Sequence, residues 1–205
     1  MVRGVLVAGG RGTRLGAHKA RVAIAGVSLL QRALETLSRV ADDLVVAAPE
    51  SLALRLPESP RARRVFDRVD GEGPLAGAVA ALEDGGFEMA VILGVDFPLM
   101  HAATLRALIA RLEAHPELGA IVPAPRGRLQ PLAAAYGRAF AAALVTGFEK
   151  GERSIVKAVE PLGPMVMSDD ELADIPGAGE SFFNLNTPED LVEAARRIAA
   201  RAVEP

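Results

Sequence analysis

The chain has 205 residues, 50% of them hydrophobic and 24% charged, with a net charge of −3; that length suits one well-buried domain, 1–205, rather than two. The complete lack of cysteine excludes disulfides, thiolate metal sites and cysteine nucleophiles. Mild acidity and few aromatics (seven Phe, one Tyr, no Trp) argue against a nucleic-acid surface, and no apolar run is long enough to span a membrane.

The chain enters an apolar, β-branched run at once, Val2 to Ala8, with no signal-peptide pattern, so a cytoplasmic protein is expected. The next stretch, Gly9-Gly10-Arg11-Gly12-Thr13-Arg14-Leu15-Gly16-Ala17-His18-Lys19, cannot continue that strand. Its four glycines open backbone angles closed to other residues and let a ligand approach the main chain. Successive N–H groups of such a loop converge on an anion, and Arg11, Arg14 and Lys19 add full positive charge. Residues 1–34 hold six cations and no Asp or Glu, although the chain has 26 acids. An acid-free, cation-bearing loop after a buried strand points to a phosphate site, because a nearby carboxylate would repel the ligand; a solvated turn has the same composition. The loop is not a Walker A motif, since Lys19 lies between His18 and Ala20. Nor is it a dinucleotide fingerprint, because the extended piece Arg21 to Gly26 separates it from the next helix.

Ser28 caps a predicted helix to about Arg39, with Leu29, Leu30, Ala33, Leu34 and Leu37 on one apolar stripe. Asp43 to Ala48 reads as a second buried strand ended by Pro49, and Arg63 to Asp67 as a short one after Pro57 and Pro60. Pro74, after the turn Asp70-Gly71-Glu72-Gly73, suits the first turn of a helix to about Glu83. Glu88 to Leu93 is the clearest internal strand, with Asp96 just past its end. A helix from about Ala102 to Ala114 leads to a strand at 119–122, a hairpin tip at Arg126-Gly127-Arg128 and a return through Leu132 to Tyr136. Helices are expected near 137–147 and 153–159, then a strand over 162–167. Residues 168–181 show no clear period, Phe182-Phe183 reads as a strand end, and Pro188 begins a final helix to about Arg201.

Strands alternating with helices predict a three-layer α/β/α fold with a mostly parallel sheet, and the stretch around 121–136 adds an antiparallel strand. Ligands of such sheets bind beyond the carboxyl ends of the strands. The Gly-rich loop, Ala47, Asp67 and Asp96 all fall at such ends. Asp96 is placed to hold Mg²⁺, a cation that takes oxygen ligands and bridges phosphates; an Asp before Phe-Pro also suits a plain turn.

Gly-Gly-x-x-x-Arg-x-Gly-x-x-Lys after a first strand resembles the signature loop of the nucleotidyltransferases. Gly73-Pro74-Leu75-Ala76-Gly77, Gly94-Val95-Asp96-Phe97-Pro98, Gln130-Pro131-Leu132 and Asn184-Leu185-Asn186-Thr187-Pro188-Glu189-Asp190 further resemble the molybdenum cofactor guanylyltransferases, with Gly151-Glu152-Arg153-Ser154 a weaker match. The resemblance implies a nucleotide-diphospho-sugar-transferase-like fold and transfer of GMP from GTP to the terminal phosphate of molybdopterin, releasing pyrophosphate. It implies Mg²⁺ on Asp96, with Lys19 and Arg14 beside the reacting phosphates. Val7, Ala8, Gly9, Gly10, Gly12, Lys19, Ala47, Asp67, Gly73, Pro74, Gly77 and Asp96 would line the nucleotide, and Gln130, Arg153, Asn184 and Asn186 the acceptor. Other cofactor-biosynthesis proteins and apo-molybdoenzymes or their chaperones are implied as further partners. Ala47 stands where many guanylyltransferases carry Asn, and His18 where Asp is usual. Transfer of another base, another acceptor, or a non-catalytic nucleotide-binding module therefore stay open as alternatives.

Overall fold

The computed structural model describes residues 1–9, 18–66, 73–83 and 85–201. The first strand, β1 (Val2–Val7), lies inside a seven-stranded sheet, third from one edge. β4 (Asp43–Ala48) and β6 (Met89–Gly94) flank it, both parallel to it, and β5 (Arg63–Phe66) extends the β4 side in the same direction. On the other side β8 (Ala133–Gly137) runs antiparallel to both β6 and β7 (Ala120–Pro123), and β9 (Met165–Met167) closes the sheet parallel to β7. The order is β5-β4-β1-β6-β8-β7-β9. Among the described residues β8 is the one reversed strand, in the place the sequence pattern gives it.

Both faces of the sheet are covered, which is why the central strands read as unbroken apolar runs. With a period of two, Leu6 and Ala8 of the first run point to one side and Val5 and Val7 to the other. The first side packs on α1 (Leu29–Leu37), α3 (Ala102–Ala114) and α8 (Pro188–Arg201). The second packs on α2 (Pro74–Leu82), α4 (Arg138–Glu149) and α5 (Ile155–Val159). In α1 the five residues of the expected stripe are all buried, and Ser28 accepts the N–H of Gln31 as its cap. Each fully buried Leu there contributes about 1.5–3 kcal/mol. Gly4 lets the layers close up: a Cβ at that position would lie 2.8 Å from Leu44 Cδ2 and 3.1 Å from Ala41 Cβ.

Several expectations are corrected in detail. Arg21 to Gly26 is not one extended piece: a 3₁₀ turn, Lys19–Arg21, leads into a two-stranded hairpin of β2 (Ala23–Ile24) and β3 (Val27–Ser28). Residues 168–181 form two short helices, α6 (Asp169–Ala173) and α7 (Ala178–Ser181). α6 starts with a capping box in which Ser168 and Glu171 satisfy each other's backbone N–H groups. Phe182 is the C-cap of α7, not a strand end. No helix among the described residues is long and apolar enough to cross a membrane.

Candidate functional site

Six parallel strands deliver their carboxyl ends to one edge, and hydrogen bonds knit that edge beyond the strands themselves. Ala8 donates its N–H to the Ala47 carbonyl at 2.8 Å, and Val95 donates to Val7 at 3.1 Å. The segment before α8 joins them, because the Leu185 N–H donates to the Asp96 carbonyl at 2.9 Å. Leu185 is fully buried in the α1/α3/α8 core, while its neighbours Asn184 and Asn186, one residue away on either side, are not buried. Alternation along an extended chain thus turns both amides to the same side.

Four side chains meet there. Lys19, at the start of its 3₁₀ turn, is only 9% exposed. Its ammonium donates to Asn186 Oδ1 at 2.8 Å and to Asp96 Oδ2 at 3.3 Å, across 167 and 77 residues of sequence. Asn186 Nδ2 donates in turn to Asn184 Oδ1 at 2.6 Å. Asp190, in the first turn of α8, accepts the N–H groups of Asn186 and Thr187 on Oδ2, each at 2.8 Å, while its own N–H donates to Thr187 Oγ1. The Asn186 N–H above all, then the Thr187 donors and the positive charge of Lys19, hold the Asp190 carboxyl below its ordinary range. Gly94 makes room for the other acid: a Cβ there would lie 2.5 Å from Asp96 Oδ1.

The remaining expected residues divide. Val7 and Ala8 are buried and contribute backbone at the edge, with Gly9 following. Gly10, Gly12, Arg14 and Asp67 lie outside the described residues. The methyl group of Ala47 is sealed in the core beneath α2, so only its main chain reaches the edge. Gly73, at φ 84°, caps α2 with Pro74 behind it; both are exposed, and Gly77 is buried one turn later. Gln130 lies in the β7–β8 connection with its amide folded onto the Arg128 carbonyl at 3.3 Å. Arg153 does not join the asparagines: its guanidinium stacks 4.2 Å from the Phe148 ring and donates to the Phe148 carbonyl at 2.8 Å. Its own carbonyl sits 3.8 Å from the place a Cβ on Gly73 would take. Next to Lys19, burial and then Arg21 push the His18 imidazole below its ordinary value.

Two features escape sequence reasoning. One is Asp190, whose Thr-Pro-x-Asp setting is legible as a helix start but not as a support for Asn186. The other is Arg64, which donates to the carbonyls of Pro49 and Leu52 at 2.7 Å each and of Leu54 at 3.3 Å. Arg21, from the turn that carries Lys19, takes the carbonyl of Ala53 at 2.6 Å. The connection leaving β4 is thereby tied both to β5 and to the lysine.

Among the described residues no three His, Cys, Asp or Glu side chains gather into a cage. What the edge offers a cation is hard oxygen, from Asp96 and the amide of Asn186, both already turned toward one positive charge. That donor set fits Mg²⁺, which keeps several waters and is bound through one or two carboxylates together with substrate phosphates.

Residues 4–162 match the family model of the MobA-like NTP transferase domain. A probable molybdenum cofactor guanylyltransferase of Natronomonas pharaonis is 33% identical over 202 residues, covering 96% of this chain and 98% of the relative. The crystal structure of molybdopterin-guanine dinucleotide biosynthesis protein A from Archaeoglobus fulgidus superposes with a TM-score of 0.81 at 28% identity, covering 97% and 99% of the two chains. The 2-C-methyl-D-erythritol 4-phosphate cytidylyltransferase of Thermus thermophilus shares the fold, with a TM-score of 0.66 at 24% identity over 97% of this chain and all of that one. On these grounds the chain belongs to the molybdenum cofactor guanylyltransferase family, within the MobA-like nucleotidyltransferases.

Proposed function

We propose that this chain acts as one nucleotidyltransferase domain that transfers GMP from GTP to the terminal phosphate of molybdopterin. An oxygen of the acceptor phosphate attacks the α-phosphorus in line, the bond to the β-phosphate oxygen breaks, and pyrophosphate leaves. The protein supplies no nucleophile, because the acceptor brings one; its work is positioning and charge neutralisation. The observation that carries this reading is the meeting of Lys19 and Asp96, which sets a cation from the Gly-rich stretch against the acid that ends β6.

Lys19 gives its ammonium to the triphosphate, with Arg14 beside it, and main-chain N–H groups of Gly9, Gly10 and Gly12 cradle the phosphates. Asp96 would hold Mg²⁺, which when bound neutralises phosphate charge as pyrophosphate departs. The base lies toward Ala47, Asp67 and the start of α2 at Gly73, Pro74 and Gly77. With no side-chain amide at Ala47, guanine is read there by main-chain groups. Gln130, Asn184 and Asn186 serve the acceptor side.

The test is incubation with molybdopterin, Mg²⁺ and each of GTP, CTP and ATP, reading dinucleotide mass and pyrophosphate. GTP is expected to be preferred. Preference for CTP would make the chain a cytidylyltransferase, and binding without product would make it a non-catalytic nucleotide-binding module.

A further inference from the structure

We infer that Asp190 and Asn186 are positioning residues for Lys19, holding its ammonium at the phosphate side before any acceptor arrives; that purpose rests on the nucleotidyl-transfer reading, the contacts themselves do not. The amide of Asn186 has one available orientation. Its NH₂ donates to Asn184 Oδ1 and its oxygen accepts from Lys19, and a flipped amide would set donor against donor at the ammonium. Asp190 fixes the backbone from which that amide projects, by accepting two consecutive N–H groups on one oxygen. Leu185, fully buried between the two asparagines, pins the same segment to the core. An ammonium has three donors. Asn186 and Asp96 take two, leaving the third without a partner among the described residues and free for a phosphate oxygen. A long flexible lysine is thus preorganised by a chain that runs from α8 through Asn186 to Nζ.

The sequence allows a direct reading, because its only lysines are Lys19, Lys150 and Lys157, and the last two are exposed. Limited reductive methylation followed by site-resolved mass spectrometry reports each amine, with Lys150 and Lys157 as internal references. Lys19 is expected to label slowest in the parent chain. Asn186→Ala and Asp190→Ala should raise its rate several-fold with the references unchanged. Asp190→Asn keeps an oxygen for the two N–H groups and should restore slow labelling. In a second arm, titration with a non-hydrolysable GTP analogue and no acceptor should show about tenfold weaker binding in Asn186→Ala. Unchanged Lys19 labelling in both alanine variants would overturn the inference. So would unchanged analogue affinity in Asn186→Ala, which would leave Asn186 to the acceptor alone. If the parent chain binds no GTP analogue, the nucleotidyl-transfer reading fails, while the labelling arm still decides whether Asn186 and Asp190 position the amine.

Discussion

Substituting Gly94 by Ala displaces the Asp96 carboxylate with little damage elsewhere. The new methyl carbon would lie 2.5 Å from Asp96 Oδ1, where ordinary contact begins at 3.4 Å, so that oxygen must retreat by about 0.9 Å. The other near neighbours, Phe97 Cε2 at 3.3 Å and Leu132 Cβ at 3.4 Å, need to yield almost nothing. The backbone at Gly94 is not among the positive-φ glycines, so alanine carries no conformational penalty there. Overpacking of this kind costs about 1–3 kcal/mol, which for a chain of this size lowers Tm by several degrees without unfolding it. A reacting group misplaced by roughly 1 Å costs about 10²-fold in rate. Gly94→Ala should therefore stay folded at 25 °C and lose about 100-fold in kcat, approaching the loss in Asp96→Asn, which keeps the shape and removes the charge. Steady-state release of pyrophosphate, with calorimetry on the same samples, measures both quantities. If Gly94→Ala turned over within twofold of the parent while Asp96→Asn did not, the exact seat of the carboxylate would be irrelevant and the reasoning wrong.

Two further outcomes concern the support behind the site. Gly177 has φ +79°, and a Cβ there would overlap the His101 ring, so Gly177→Ala should cost about 2–4 kcal/mol through a left-handed backbone and overpacking together; a calorimetric Tm lowered by less than about 3 °C would contradict it. Glu180 accepts Arg201 Nε at 3.0 Å and Nη2 at 2.6 Å, and that pairing first of all holds its carboxyl below the ordinary 4.5. A depressed native value means stability that is fully present above pH 4.5 and lost below it, as the pH falls through the lower native value. Arg201→Met should therefore melt below the parent at pH 7 and converge with it on acidification; a gap independent of pH would refute the assignment.

The elements with strong local signals were legible in the sequence: the Leu29–Leu37 stripe, the Pro74 helix start and the reversed strand at 133–137 all stand where pattern and turn chemistry put them. So was the nearness of Lys19 and Asp96, because strand-end position in a parallel sheet is a statement about one edge. The short helices α6 and α7 were not, since four or five residues show too little of a 3.6-residue period, although Ser168 and Glu171 spell a capping box. The stacking of Arg153 on Phe148, around the turn that leaves α4, has no signature in either residue's type. The bond from Asn186 to Lys19 spans 167 residues and likewise has no local signature.

The reversal of β8 bears on how such a sheet can change. Parallel neighbours must be joined by a return across the whole layer, whose helix has to keep its packing. The link between β7 and β8 needs no such return. Residues 124–132 begin and end at the same rim, secured at their base where Gln130 donates to the Pro123 carbonyl at 2.8 Å and Gly94 donates to that of Leu132 at 2.7 Å. Lengthening it adds only about 0.6 kcal/mol of closure entropy per doubling and leaves the pairing of Ala120 with Tyr136 and of Ile121 with Ala135 undisturbed. The β7–β8 connection can thus be rebuilt by insertion while β6, whose end leads to Asp96, keeps its register against β1.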